Sequence, residues 1–139
     1  MSISSSTTGT DSGSGSVLIL LGRILLSIMF ILAGFGKLTA IGGTAGYFGS
    51  LGLPLPNVTA VVVGLVELLG GLAVLVGFQT RIAALVLAVF TLAATAVAHL
   101  NFADQMQVLL LQKNLCITGG FLVLAAVGAG ALSLDARRG

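Results

Sequence analysis

The sequence predicts an all-α membrane protein, a four-transmembrane-helix bundle with a short interfacial or re-entrant segment between helices 1 and 2. Three observations lead there. Only 7% of the 139 residues are charged and 57% are hydrophobic, whereas a soluble domain carries about 25% charged residues, so this chain cannot cover a water-facing surface. Apolar stretches of roughly 20 residues, the length that crosses a bilayer, recur and consume most of the chain. That leaves room for one membrane domain, 17–135, and for no soluble one. Inside those stretches the few polar and small residues recur at spacings of three and four, which puts them on single helix faces.

Residues 1–16 are almost entirely Ser, Thr and Gly and are expected to form a disordered tail, because they have little apolar surface to bury. The tail carries no Lys or Arg, and the apolar run after it is long and interrupted by Arg23, so signal-peptide cleavage is not expected. Helix 1 is expected at 17–37. Arg23, Ser27, Phe30, Gly34 and Lys37 follow one another at spacings of four, three, four and three, so its polar residues share one inward stripe. Snorkelling of Arg23 to the nearer interface is the alternative, but it leaves Ser27 and Gly34 on that stripe unexplained. Residues 39–57 are Gly-rich, end in two prolines and hold the only tyrosine, Tyr47. A short helix around 44–51, closed by a turn at 52–56, is expected there. A plain loop with an interface tyrosine is the alternative.

Helix 2, expected at 58–78, has one charge, Glu67, near its middle. A carboxylate at that depth costs roughly 2.5–3.5 kcal/mol on insertion scales and needs compensation. Ala60, Gly64, Glu67 and Gly71 share a small, polar face, the kind of surface that lets helix backbones approach in a membrane. The turn from Phe78 to Arg81 predicts an antiparallel hairpin with helix 3, at 81–99. Ala84, Ala88, Thr91, Thr95 and Ala98 form another such stripe, expected against helix 2 or helix 4. A polar connector leads to helix 4, at 114–134, where Asn114, Thr118, Phe121, Ala125 and Gly128 share a face. A short basic tail, 136–139, ends the chain. Four spans put both termini on one side with Arg81, Arg137 and Arg138. Lys37 and Lys113 lie on the other, so the positive-inside rule places the termini in the cytoplasm.

The net charge of +2 is scattered, which excludes the clustered basic face of a nucleic-acid-binding protein. With one histidine and one cysteine, a single chain cannot supply a haem with two axial histidines, a four-Cys cluster or a three-His zinc site, so no metal site is expected. Cys116 is expected as a small packing residue. At the side opposite the termini, Lys37, Tyr47, His99, Asn101, Lys113 and Asn114 are expected to converge, with Glu67 below them. Two arrangements suggest themselves. Arg23 and Glu67 form a buried structural ion pair, which offsets desolvation. Alternatively, Glu67, His99, Lys37 and Tyr47 line a pocket with Asn101, Lys113 and Asn114 around it. In that pocket Glu67 and His99 would handle protons, since a carboxylate and an imidazole are the groups suited to it. An amphiphilic quinone could place its head there, with electrons supplied from elsewhere. In the plainer reading His99 and Lys113 are interface anchors only.

Five segments, in this order and spacing, resemble the DoxX family of small bacterial membrane proteins: GRILLSIMFILAGFGKL, GTAGYFGSLGLPLP, VGLVELLGGLAVLVGFQTR, AHLNF and QKNLCITGGFLVLAAVGAGALSLD, together spanning 22–135. On that pattern the family's recurring polar positions fall on Arg23, Lys37, Glu67, His99, Lys113, Asn114 and Asp135. The resemblance implies a four-helix protein of the bacterial cytoplasmic membrane. Related DoxD-type proteins are subunits of a thiosulfate:quinone oxidoreductase, and some DoxX-like members belong to oxidative-stress or thiol-redox complexes. The expected function is therefore a subunit or accessory of a quinone-linked redox system, without a redox centre of its own, acting in the lipid bilayer as a homo-oligomer or with a partner membrane or redox subunit. The alternative is a non-catalytic scaffold or chaperone for membrane proteins. A small-solute transporter is the least favoured, because four short helices leave little room for alternating access.

Overall fold

A computed structural model of the protein describes residues 13–138. Four of its helices are long and apolar enough to cross a membrane: α1 (Gly13–Thr39), α3 (Pro56–Val76), α4 (Thr80–Ala98) and α5 (Gln105–Val127). Two are short, α2 (Ile41–Ser50) and α6 (Leu134–Arg138). No strand occurs among the described residues. α1 packs along α3, α4 along α5, and α3 joins the two pairs, while α1 and α5 meet only locally. Where they meet, Phe30 and Phe121 form an edge-to-face pair with ring centroids 5.4 Å apart, a favourable aromatic geometry.

The small faces read from the sequence are the contact faces. Arg23, Ser27, Phe30 and Gly34 are buried on α1, and Ala60, Gly64, Glu67 and Gly71 on α3. They pack against each other. A methyl group on Gly34 would come within 2.5 Å of the Leu68 amide nitrogen and 2.7 Å of the Gly64 carbonyl oxygen, and one on Gly71 within 3.1 Å of the Ile31 nitrogen. Glycine is thus required for the backbones to lie this close. The Ala84–Thr95 stripe faces helix 4 of the sequence reading: Asn114 on α5 donates its amide hydrogen to Thr95 Oγ1 at 3.0 Å. Thr95 in turn donates to the Thr91 carbonyl at 2.7 Å.

α2 forms at 41–50, with Ala45 and Phe48 buried against Ala60 of α3. Pro56 sits in the first turn of α3, where its fixed φ favours the helix and its missing N–H costs nothing. Gly77 (φ 74°) and Gln79 (φ 47°) make the left-handed turn into α4.

Several boundaries differ from the expected ones. The tail expected at 1–16 lies outside the described residues up to 12, but 13–16 already belong to α1, with Ser16 buried. The last long helix spans Gln105–Val127 rather than 114–134. Asp104 caps its start, accepting from the Met106 amide at 3.0 Å, and Gln107 follows three residues on, a helix-start signature. Gly128 (φ 82°) and Gly130 (φ 78°) end it early. Part of the basic tail is helical, within α6. Cys116 is exposed on the outer face of α5 rather than packed in the bundle.

Candidate functional site

Arg23 and Glu67 do not pair. Arg23 is 1% exposed and spends its donors on backbone. Its Nε donates to Val74 O at 3.0 Å and its Nη2 to Leu75 O at 2.8 Å. Its Nη1 donates to Ala129 O at 2.9 Å and to Leu132 O at 2.8 Å. These carbonyls close α3 and follow α5, where a helix leaves its last carbonyls without partners. The guanidinium fork therefore ties three parts of the chain together at the end near the termini. Snorkelling is excluded by the same contacts. Asp135 completes this end, accepting from the amides of Gln79 at 2.7 Å and Thr80 at 2.9 Å, the first turn of α4. Burial pushes the Asp135 carboxyl up, but the hydrogen bonds from Thr80 and Gln79 and the charge of Arg138 outweigh it and hold the group below the usual carboxylate range.

Glu67 pairs instead with Lys37, one helix turn beyond Gly34 on α1. Lys37 Nζ lies 2.7 Å from Glu67 Oε1, with the carboxylate side chain 6% and the ammonium side chain 27% exposed. The contact is an ion pair without the alignment of a directed hydrogen bond. Only the close α1–α3 approach at Gly34 and Gly64 lets the two charges meet. Glu67 lies eleven residues after Pro56, about 16 Å along α3 at about 1.5 Å per residue. Lys37 thus reaches down from the helix end to a carboxylate near mid-membrane depth.

The pair forms one wall of a cavity of about 320 Å³ between α3 and α4, with α2 across its end. Lys37, Tyr47, Glu67 and His99 all line it, and the remaining walls are mostly apolar, including Phe48, Val63, Phe90, Ala93, Ala94 and Val97. His99 Nδ1 is buried and has no hydrogen-bond partner among the described residues, an arrangement that costs about 1–3 kcal/mol unless a further group occupies it.

Asn101, Lys113 and Asn114 do not line this cavity. Asn101 stays in the connector, accepting from the Ala103 amide at 3.2 Å. Lys113 is exposed in the third turn of α5, 3.9 Å from Met29 Sδ. Asn114 is buried between α4 and α5. Its place follows from the earlier start of α5, which carries these residues below the helix end. The apolar lining was not singled out from the sequence. Phe90, Ala94 and Ala98 do recur at spacings of four, but the position of α2 is needed before that flank reads as a cavity wall.

The DoxX family profile matches residues 18–100 of the chain. The protein belongs to the DoxX family. Among its DoxX relatives are two inner membrane proteins of Escherichia coli. YqjF is 47% identical over 84% of this chain and 88% of its own length. YphA is 35% identical over 87% of this chain and 90% of its own length. CatD of Bacillus subtilis, provisionally named an oxidoreductase, is 34% identical over 76% of this chain and 82% of its own length. No solved structure matches the chain. The family match covers α1 to α4, and so includes Lys37, Tyr47, Thr59, Glu67 and His99, the polar residues of the cavity.

Proposed function

We propose that this DoxX protein is an inner-membrane subunit or accessory of a quinone-linked redox system and that the cavity takes the quinone head group. The observation that carries the reading is the Lys37–Glu67 pair in the wall of a mostly apolar cavity that His99 also lines. Small-molecule sites have this make-up, mostly apolar with a few polar groups that orient the ligand. The names of YqjF and YphA support the inner membrane, and that of CatD supports redox chemistry.

Reduction of a quinone to a quinol takes up two electrons and two protons. A partner redox subunit supplies the electrons. Glu67 and His99 hold and deliver protons, one to each quinone oxygen. The Lys37 ammonium stabilises the negative charge that builds on the nearer oxygen. The cavity end faces away from the cytoplasm, with both chain termini, Arg81, Arg137 and Arg138 on the cytoplasmic side.

The test is a titration of purified protein with a water-soluble quinone, comparing the native chain with Glu67→Gln and His99→Ala. Micromolar binding that either change abolishes supports the reading. A well-folded native protein that binds no quinone overturns it. The scaffold reading would then stand on the apolar groove between α1 and α5, lined by Gly22, Gly119 and Gly120.

A further inference from the structure

We infer that the ligand reaches the cavity sideways from the lipid and that Ala93 is the threshold over which its apolar tail leaves. This rests on the quinone reading and adds where the tail goes and which residue decides it. The first observation is size. About 320 Å³ lies at the lower end of small-molecule sites, roughly 300–1,000 Å³. It holds a substituted ring but not a long isoprenoid or alkyl chain, so a membrane quinone must keep its tail outside.

The second observation is where the wall is open. On the end nearest water, α2 lies across the cavity, with Phe48 only 7% exposed and packed against α3 and Tyr47, a phenol 51% exposed, at its rim, so the opening on that side is polar. On the α4 flank, Ala93 and Val97 line the cavity and are also exposed, Val97 by 48%. Val89, four residues before Ala93, is 66% exposed. Val89, Ala93 and Val97 follow at spacings of four, so one outward stripe of α4 runs from the cavity mouth along the helix.

The third observation is depth. Ala93 lies six residues and Val89 ten residues before His99, about 9 and 15 Å from that helix end at about 1.5 Å per residue. Both fall within the nearer half of a hydrocarbon layer about 30 Å thick, so the mouth opens onto acyl chains. Alanine is the smallest side chain of this stripe. Its size leaves the gap, and the tail lies beyond it on Val89.

The test measures binding of two benzoquinones with the same ring, one tail-less and one bearing a decyl chain. The full-length protein is held in lipid nanodiscs as the native chain, Ala93→Phe and Ala96→Phe. Ala96 is exposed on the same helix but does not line the cavity. The expected result is that Ala93→Phe weakens decyl-quinone binding about tenfold or more, equivalent to about 1.4 kcal/mol, and leaves the tail-less compound nearly unchanged. Ala96→Phe should affect neither. Equal loss of both compounds in Ala93→Phe, or loss of neither, overturns the threshold while leaving the quinone site intact. Native protein that binds neither compound overturns the site and the threshold together. Should Ala93→Phe fail to fold, Ala93→Leu is read by the same criterion.

Discussion

Two regions of the bundle bury a charged side chain from a membrane-length helix, and they stabilise it differently. At the end near the termini, Arg23 meets four backbone carbonyls at 2.8–3.0 Å and is 1% exposed. Its donors are spent on the last turn of α3, where a helix lacks donors for its final carbonyls, and on the segment after α5. Near mid-membrane depth, Glu67 has a single charged partner among the described residues, the part-exposed ammonium of Lys37, and both line a cavity. A charge surrounded by fixed dipoles is a structural joint. A charge with one part-exposed partner beside open volume retains the freedom to exchange partners and protons. The two regions therefore differ in what a substitution should damage.

The largest effect is expected at Arg23. Arg23→Met removes four hydrogen bonds, leaving the buried Ala129 carbonyl and the part-buried Leu75 and Leu132 carbonyls without this donor while Val74 O keeps only the Gly77 amide, at about 1–3 kcal/mol for a buried group, and should prevent recovery of folded protein. Arg23→Lys should rescue it only in part, because an ammonium has three donors and lacks the fork geometry. Size-exclusion profiles and thermal melts in detergent decide this; a native-like melt for Arg23→Met would show that the joint is dispensable.

Next comes Gly34→Ala, which drives a methyl group into the Leu68 and Gly64 backbone. Forcing α1 from α3 should cost about 1–3 kcal/mol or more and should also separate Lys37 from Glu67, so that stability and quinone binding fall together. Gly120→Ala serves as the control. Its new methyl would meet only the flexible Leu26 side chain, at 3.1 Å, and should leave both nearly unchanged.

A smaller effect on stability, with a large one on binding, is expected at the Lys37–Glu67 pair. Glu67→Gln should lose quinone while its melting temperature falls by less than that of Gly34→Ala. The double change Lys37→Met with Glu67→Gln should recover any lost stability, since replacing a buried ion pair by neutral groups is often neutral or stabilising by about 1–4 kcal/mol. Binding should not return. Restored binding in the double variant would show that the pair is not the ligand's partner.

The smallest effect concerns Asp135. Its folded-state carboxyl lies below the ordinary range, so its contribution is fully present above the unfolded pKa and is lost as pH falls through the folded value. The native melting temperature should therefore drop below about pH 4. Asp135→Asn keeps one of the two acceptor oxygens, so it should be less stable near neutral pH by about 1 kcal/mol, the net worth of one hydrogen bond, and should lose that part of the acid sensitivity.

Much of this architecture was legible in the chain because membrane helices separate their faces sharply. The buried sides of α1 and α3 coincide with the stripes read from spacing, down to Gly34, Gly64 and Gly71. The start of α5 was legible too, in Asp104 and Gln107, but the polar residues that follow mask it against the expectation of a purely apolar span. The partner of Glu67 was not. Arg23 and Lys37 lie on the same stripe of α1, and periodicity cannot say how far one helix slides along another.

From its sequence alone this protein is determined to be four apolar helices with charged, small-residue faces turned inward, because a bilayer leaves no other place for Arg23 and Glu67. Only the tertiary structure decided which charges meet. The glycine contacts set the axial register of α1 on α3, and that register carries Lys37 to Glu67 and leaves Arg23 beside the ends of α3 and α5. The placement of α2 then closes the space between α3 and α4 into a cavity. Register and closure depend on distances between helices, and those are properties of packing that no single helix encodes.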